Sequence, residues 1–266
     1  MLTRTLALVL VAACGVKGDG LTDTSVSSTT TAESDADADA DADTDTDTDA
    51  DTDTGTDSAP EPAVPLAGLG EITGDCGGLM LDTTATAGPA LYRSALDFGD
   101  ALWDAAALST GGQQILEDGG LGGSSLESEA IAFDLLYRCE LASLLKTEAE
   151  ITYDDPDGKK TDLIVEVDAV RVGVSVTRAY SYPPEEGMSP EAAQSLLDDK
   201  LADILVSAEN ASYEDAWEVS FLSVIAWDDA HADAIVAAWE RVDPAVKGDT
   251  RVLLTATHGD ADDILY

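Results

Sequence analysis

Lys200 is the residue whose position most invites a chemical reading. Along the segment that opens at Pro190, steps of 100° gather Ala193, Leu196, Leu197, Leu201 and Ile204 into one apolar stripe, with Lys200 inside it and Gln194 near its edge. An ammonium turned toward a sheet needs a counter-charge or a task. Either it snorkels past the stripe or neutralises an acid such as Asp162 or Glu166, or it stabilises negative charge developing in a reaction. The other polar signals are weaker. The two histidines, His231 near a helix start and His258 in the tail His258-Gly259-Asp260, lack metal-ligand spacing to a second His, and a solvated tail suits His258. No Ser occupies a Gly-x-Ser-x-Gly turn and no Gly-rich loop leads into a helix with a following Lys, so hydrolase and phosphate-loop readings have no motif behind them. Arg178 suits a strand-end cap or an anion contact.

The elements that must position these residues are legible mainly after residue 123. Ser124 with Glu127 reads as a capping box, and Ile131, Leu135, Leu136, Cys139, Ala142 and Leu145 recur at helical spacing, which predicts a long helix over Ser125 to Lys146. A short strand, Ala149 to Tyr153, ends in the turn Asp155-Pro156-Asp157-Gly158. Leu163 to Val167 follows, then a tight connection at Asp168-Ala169. Next, Val170, Val172, Val174 and Val176 alternate with Arg171, Gly173, Ser175 and Thr177 as a period-two strand. Ser189-Pro190-Glu191 supplies an N-cap, a first-turn proline and a first-turn acid for a helix to about Ser207. Trp217 to Ala226 reads as a buried strand, Asp229 to Val242 as a helix and Arg251 to Thr257 as a last strand. The order αβββαβαβ calls for an α/β fold with a mixed central sheet flanked by helices. Residues 66–123 form a Gly-rich extension of short strands and loops. Within it Trp103 to Leu108 fits a helix start or a strand end, and Gly119, Gly120, Gly122 and Gly123 make a hinge.

With Asp162 opening the second strand and Ser175-Val176-Thr177 on the third, residues 124–257 resemble the PD-(D/E)XK nuclease superfamily, the restriction-endonuclease-like fold. The resemblance implies a divalent metal such as Mg held by Asp162 with a helix acid, Glu129, and water activated beside a lysine. The third-strand acid and lysine of that family are missing here. Because some members of the superfamily draw the lysine from the following helix, Asp162 and Lys200 become the candidate catalytic pair and Glu129 and Asp162 the candidate metal ligands.

The N-terminus speaks to location. Met1 to Arg4 carries one positive charge and Leu6 to Ala13 is an apolar run of eight residues, far short of the ~20 that span a bilayer, so it reads as a processed signal over 1–13. Val11-Ala12-Ala13-Cys14 resembles the lipobox of bacterial lipoproteins. The resemblance implies a lipid on Cys14 as membrane anchor, and Gly15 resembles those sent on to the outer membrane, with a periplasmic or surface-exposed position in the cell envelope. The strict Asp-Ala and Asp-Thr alternation from Asp35 to Asp57 cannot bury a core, so 14–65 reads as an extended, disordered tether. Alternating aspartates without a Gly-bounded loop support only diffuse counter-ion binding. Cys76 and Cys139 remain as a pair suited to one disulfide in an oxidising compartment, or as two buried thiols.

Charge bounds the partners. The formal net charge is −41, with 54 acidic and 13 basic side chains, and −29 of it lies from Ser58 onward. Such a field repels phosphate backbones, so no nucleic acid is expected, and it suits solubility, high salt or cation binding. The expectation is a membrane-anchored acidic lipoprotein whose nuclease-like domain lacks activity and serves binding or scaffolding, without a cofactor and with an unidentified protein or small-molecule ligand. The alternative is a metal-dependent phosphodiesterase with a rearranged site.

Overall fold

Burial on both faces shapes the sheet of this computed structural model, which describes residues 68–78, 88–120, 126–260 and 264–266. The expectations for the signal, Cys14, the tether, Ser124 and the Gly122-Gly123 half of the hinge lie outside those residues. The strands are β1 (Glu71–Gly74), β2 (Ala90–Asp97), β3 (Ser143–Thr147), β4 (Leu163–Val167), β5 (Val170–Ala179), β6 (Val219–Ala226) and β7 (Arg251–His258). The helices are α1 (Thr110–Asp118), α2 (Leu126–Glu140), α3 (Pro190–Asn210), α4 (Asp229–Trp239) and the single turn α5 (Pro244–Lys247). The described residues form a seven-stranded sheet in the order β1-β2-β7-β6-β5-β4-β3. Strands β2, β7, β6 and β5 are mutually parallel, while β1 and the β4-β3 meander run antiparallel at the two edges. The chain is thus a mixed α/β fold.

Side-chain alternation divides the sheet between two cores. Leu163, Val165, Val167, Val172, Val174, Val176 and Phe221 face α2, through Ile131, Leu135 and Leu136, and α1, through Ile115. The intervening residues Leu222, Val224, Val252, Leu254 and Ala256 face α3 and α4, through Ala193, Leu197, Leu201, Ile204 and Ile235. The apolar stripe of α3 is therefore its buried face. Ser189 caps that helix by accepting from the Ala192 N–H at 3.1 Å, with Pro190 in the first turn.

The tight β4-β5 connection is realised by Asp168 and Ala169, both in the left-handed region at φ 50° and 62°. This is the backbone that a two-residue hairpin of right-twisted strands demands. At Gly173 in β5 an added Cβ would lie 2.4 Å from the Trp217 ring, so only glycine lets the indole lie against the strand.

The structure corrects the stretch from 141 to 153. Helix α2 stops at Glu140 rather than Lys146, because Leu141 turns to φ 53° and the Ala142 N–H donates back to Leu136 O at 3.3 Å. The strand expected at 149–153 lies earlier, at β3, where Ser143 pairs with Glu166 and Thr147 with Leu163. Glu148–Glu150 is a 3-10 turn and Tyr153 makes only an isolated bridge to Ala211. Ala105–Ala107 is likewise a 3-10 turn, and His258 is the last residue of β7 rather than part of a solvated tail.

Cys76 and Cys139 are joined in a disulfide, Cα to Cα 4.8 Å, that fixes the loop after β1 to the last turn of α2 across 63 residues. The buried Arg138 reinforces that junction by donating to Leu69 O and, at 2.7 Å, to Gly70 O. At the far end of α3, Asn210 holds the Asp155–Lys159 turn. Its amide donates to Asp155 O and Lys159 O, both at 3.0 Å, and its side-chain oxygen accepts from the Asp155 N–H at 2.9 Å.

Candidate functional site

Asp162 precedes β4 by one residue, where the antiparallel register sets it against β5. Its N–H donates to Val174 O at 3.1 Å and its carboxylate accepts the Val176 N–H at 2.6 Å. The hydroxyls next to it in the chain and on β5 bond to one another. Thr161 Oγ1 lies 3.1 Å from Ser175 Oγ, while Tyr153 Oη accepts from the Thr161 N–H at 2.8 Å and donates to Thr161 O at 3.1 Å. Burial pushes the Asp162 carboxyl up to about 6, and the nearby Glu148 charge adds to this. The Val176 N–H and the Lys200 charge oppose it. Burial likewise lifts the Tyr153 phenol to about 12, with the negative charges of Asp162, Glu148 and Asp215 in support. Asp162 is thus poised to hold or release a proton near neutrality.

Lys200 is half-buried on α3 and acts on Asp162 through space, without an ion pair between them. Its stripe neighbours face the sheet, so Asp162 and Lys200 are brought to the same side. Glu129 is not brought to them. It is buried, 4% exposed, on α2, which covers the opposite face. Among the described residues no group of three His, Cys, Asp or Glu side chains is gathered as a metal would require. Glu166 is exposed and sits opposite Arg171 in the hairpin register. Arg178 donates to Leu265 O and so ties the C-terminal residues to β5.

An ion pair close by was not legible in the sequence. Asp215, 2% exposed, accepts from Lys146 Nζ at 2.6 Å and from the Thr152 N–H at 2.8 Å. Burial pushes its carboxyl up, but those two donors together bring it below its ordinary range.

A second constellation lies at the carboxyl ends of β5 and β6, where Ala179 and Ala226 are register partners and the Trp227 N–H donates to Ala179 O. Ser181 and Asp228 each follow their strand by two residues, so the sheet sets them side by side. Asp228 caps α4, its Oδ1 accepting from the His231 N–H at 2.8 Å and lying 2.7 Å from His231 Nδ1. Burial pushes the Asp228 carboxyl up, but the contacts with His231 bring it below its ordinary range. An ionised carboxylate only accepts, so Nδ1 carries the proton and Nε2 faces Ser181 Oγ at 3.4 Å. The imidazole is fully buried. Beside it Tyr180, Trp227 and Tyr266 form an aromatic cluster with ring centroids 4.8–5.7 Å apart. The three-residue interval from Asp228 to His231 at a helix start was the available signal. Nothing local pointed to Ser181.

No family model matches the chain, and no solved structure matches it. The chain is similar to the AAC-rich mRNA clone AAC4 protein of Dictyostelium discoideum, at 34% identity over 165 residues. The match takes in 60% of this chain, which spans about a quarter of the length of that protein.

Proposed function

We propose that this chain is an acidic domain tethered to a membrane through Cys14, with a nuclease-like core that binds or scaffolds rather than cleaving phosphodiesters. The observation that carries the reading is the use made of Asp162. Its carboxylate is committed to the Val176 N–H, and the acid expected to share a metal with it, Glu129, belongs to the other face of the sheet. The third-strand positions Ser175 and Thr177 supply hydroxyls in place of a carboxylate and an ammonium, with Ser175 paired to Thr161. The charge of −29 from Ser58 onward adds a long-range penalty against polyanionic substrates. The short apolar run ending at Cys14 and the Asp-rich tract after it suit a lipid anchor and a spacer.

A second reading, the metal-dependent phosphodiesterase, draws on the shared face of Asp162 and Lys200 and on the Asp162 carboxyl near 6. Calorimetric titration of the full chain with Mg²⁺, paired with a phosphodiester cleavage assay, separates the two. The binding reading expects neither saturable Mg²⁺ uptake nor cleavage, and metal-dependent cleavage abolished by Asp162→Asn overturns it. For the tether, Cys14→Ser should end partitioning into detergent, and unchanged partitioning refutes the anchor.

A further inference from the structure

We infer that Ser181, His231 and Asp228 form a nucleophile relay, giving this domain a serine-dependent ester hydrolase site at the carboxyl ends of β5 and β6. Nothing in the preceding proposal uses these residues. The carboxyl end of parallel strands is where open α/β sheets place ligands, because the chain leaves each strand there and side chains from neighbouring strands converge. Here the convergence is set by register. The paired ends Ala179 and Ala226 put Ser181 beside Asp228, and the first turn of α4 carries His231 between them.

Each member meets the requirement of its role. Asp228 is a positioning residue. It fixes the ring through Nδ1 at 2.7 Å, and its charge favours the imidazolium that forms when the ring takes a proton. His231 presents Nε2 to Ser181, and its ring is fully buried. Ser181 is half-exposed, and its hydroxyl has one proton with two claimants, Gly187 O at 2.8 Å and His231 Nε2 at 3.4 Å. In the resting state that proton lies toward Gly187. Catalytic hydrogen bonds of this kind commonly tighten only when substrate is bound. A shift of the Ser181 hydroxyl from Gly187 O to Nε2 therefore arms the nucleophile.

The reaction balances without a cofactor. Ser181 Oγ bonds to the ester carbonyl carbon as its proton passes to Nε2. The adduct then expels the alcohol, which takes that proton from His231. Water repeats the sequence on the acyl-serine, releasing the carboxylic acid and restoring the hydroxyl. Tyr182, 87% exposed directly after Ser181, offers an aromatic surface to the substrate, while the charge of Asp229 nearby is already paired with Arg93 at 3.1 Å. The class that fits is a neutral ester with an apolar group.

The test is covalent capture on the full chain with a fluorophosphonate, which reports an activated serine independently of the true substrate, followed by peptide mass mapping. One adduct at Ser181 is expected at pH 8, absent in Ser181→Ala. Labelling should slow about 100-fold in His231→Gln. Because His231 is buried and that variant risks misfolding, Asp228→Asn serves beside it, since Asn caps helices as well as Asp does. It should also slow labelling and move the acid limb of its pH profile downward, because the ring loses the charge that holds its proton. No adduct at Ser181 in the folded wild type overturns the proposal, as does labelling unchanged in both variants.

Discussion

Replacing Asp162 by Asn isolates the energetic cost of a carboxylate placed against the sheet. Asn keeps an oxygen to accept the Val176 N–H but carries no charge at any pH. The wild-type carboxyl is raised from 3.8 to about 6 by burial, so the folded chain holds a proton that the unfolded chain releases. Stability from this group is therefore full below about pH 4 and is lost as pH rises through 6. At about 1.4 kcal/mol per pH unit, the cost above pH 6 is about 3 kcal/mol. For a domain of this size that corresponds to a rise in Tm of about 6–12 °C for the variant at pH 8. The assay is thermal and urea unfolding of both proteins from pH 3.5 to 8.5, read as the difference between them so that the many other carboxylates cancel. The two curves should nearly coincide at pH 3.5 and separate through pH 4–6, with the variant more stable. A difference independent of pH, or a variant less stable at pH 8, refutes the reasoning.

Three further outcomes are expected. Thiol titration of the unfolded, unreduced mature protein should find Cys76 and Cys139 closed, and reduction should lower stability by roughly 2–4 kcal/mol in denaturant titration, since the bridge closes a 63-residue separation. Lys146→Met should cost about 3 kcal/mol at pH 7 by leaving the buried Asp215 carboxylate without its cation. The loss should fade in acid, because a carboxyl held below its ordinary range gives up its stabilisation as it is protonated. Deletion of residues 15–65, whose Asp-Ala and Asp-Thr alternation offers no apolar surface, should leave the calorimetric Tm within a few degrees.

Elements whose signals are local and redundant were legible. The Ser189-Pro190 start of α3, the valine alternation of β5 and the connection at Asp168-Ala169 each carry their own chemistry, and each lies where the sequence puts it. The stretch from 141 to 153 departs from its local pattern for a physical reason. Ala142 and Leu145 continue the helical spacing of α2, yet the positive φ of Leu141 and pairing with β4 convert the same residues into an edge strand. Neither local propensity nor periodicity contains that pairing. The same limit governs the sites. Asp162 could be placed at the start of its strand, and the stripe put Lys200 on its face, but the side on which α2 packs, and with it the place of Glu129, follows from the chain path. The meeting of Ser181 with His231 depends on the parallel register of two strands separated by α3.

The grip of Asn210 on the Asp155–Lys159 turn has a consequence for motion. A turn of Asp, Pro and Gly should by composition open freely and exchange its amide hydrogens quickly. Here both its first and last carbonyls and its Asp155 N–H are satisfied by one side chain at the end of a 21-residue helix, and Lys159 adds an ion pair to Asp203 one helical stretch earlier. The turn cannot fluctuate without surrendering all of these bonds together. It therefore belongs kinetically to α3, and the Asp155 amide should exchange on the timescale of the unravelling of the last turns of that helix rather than of a surface loop.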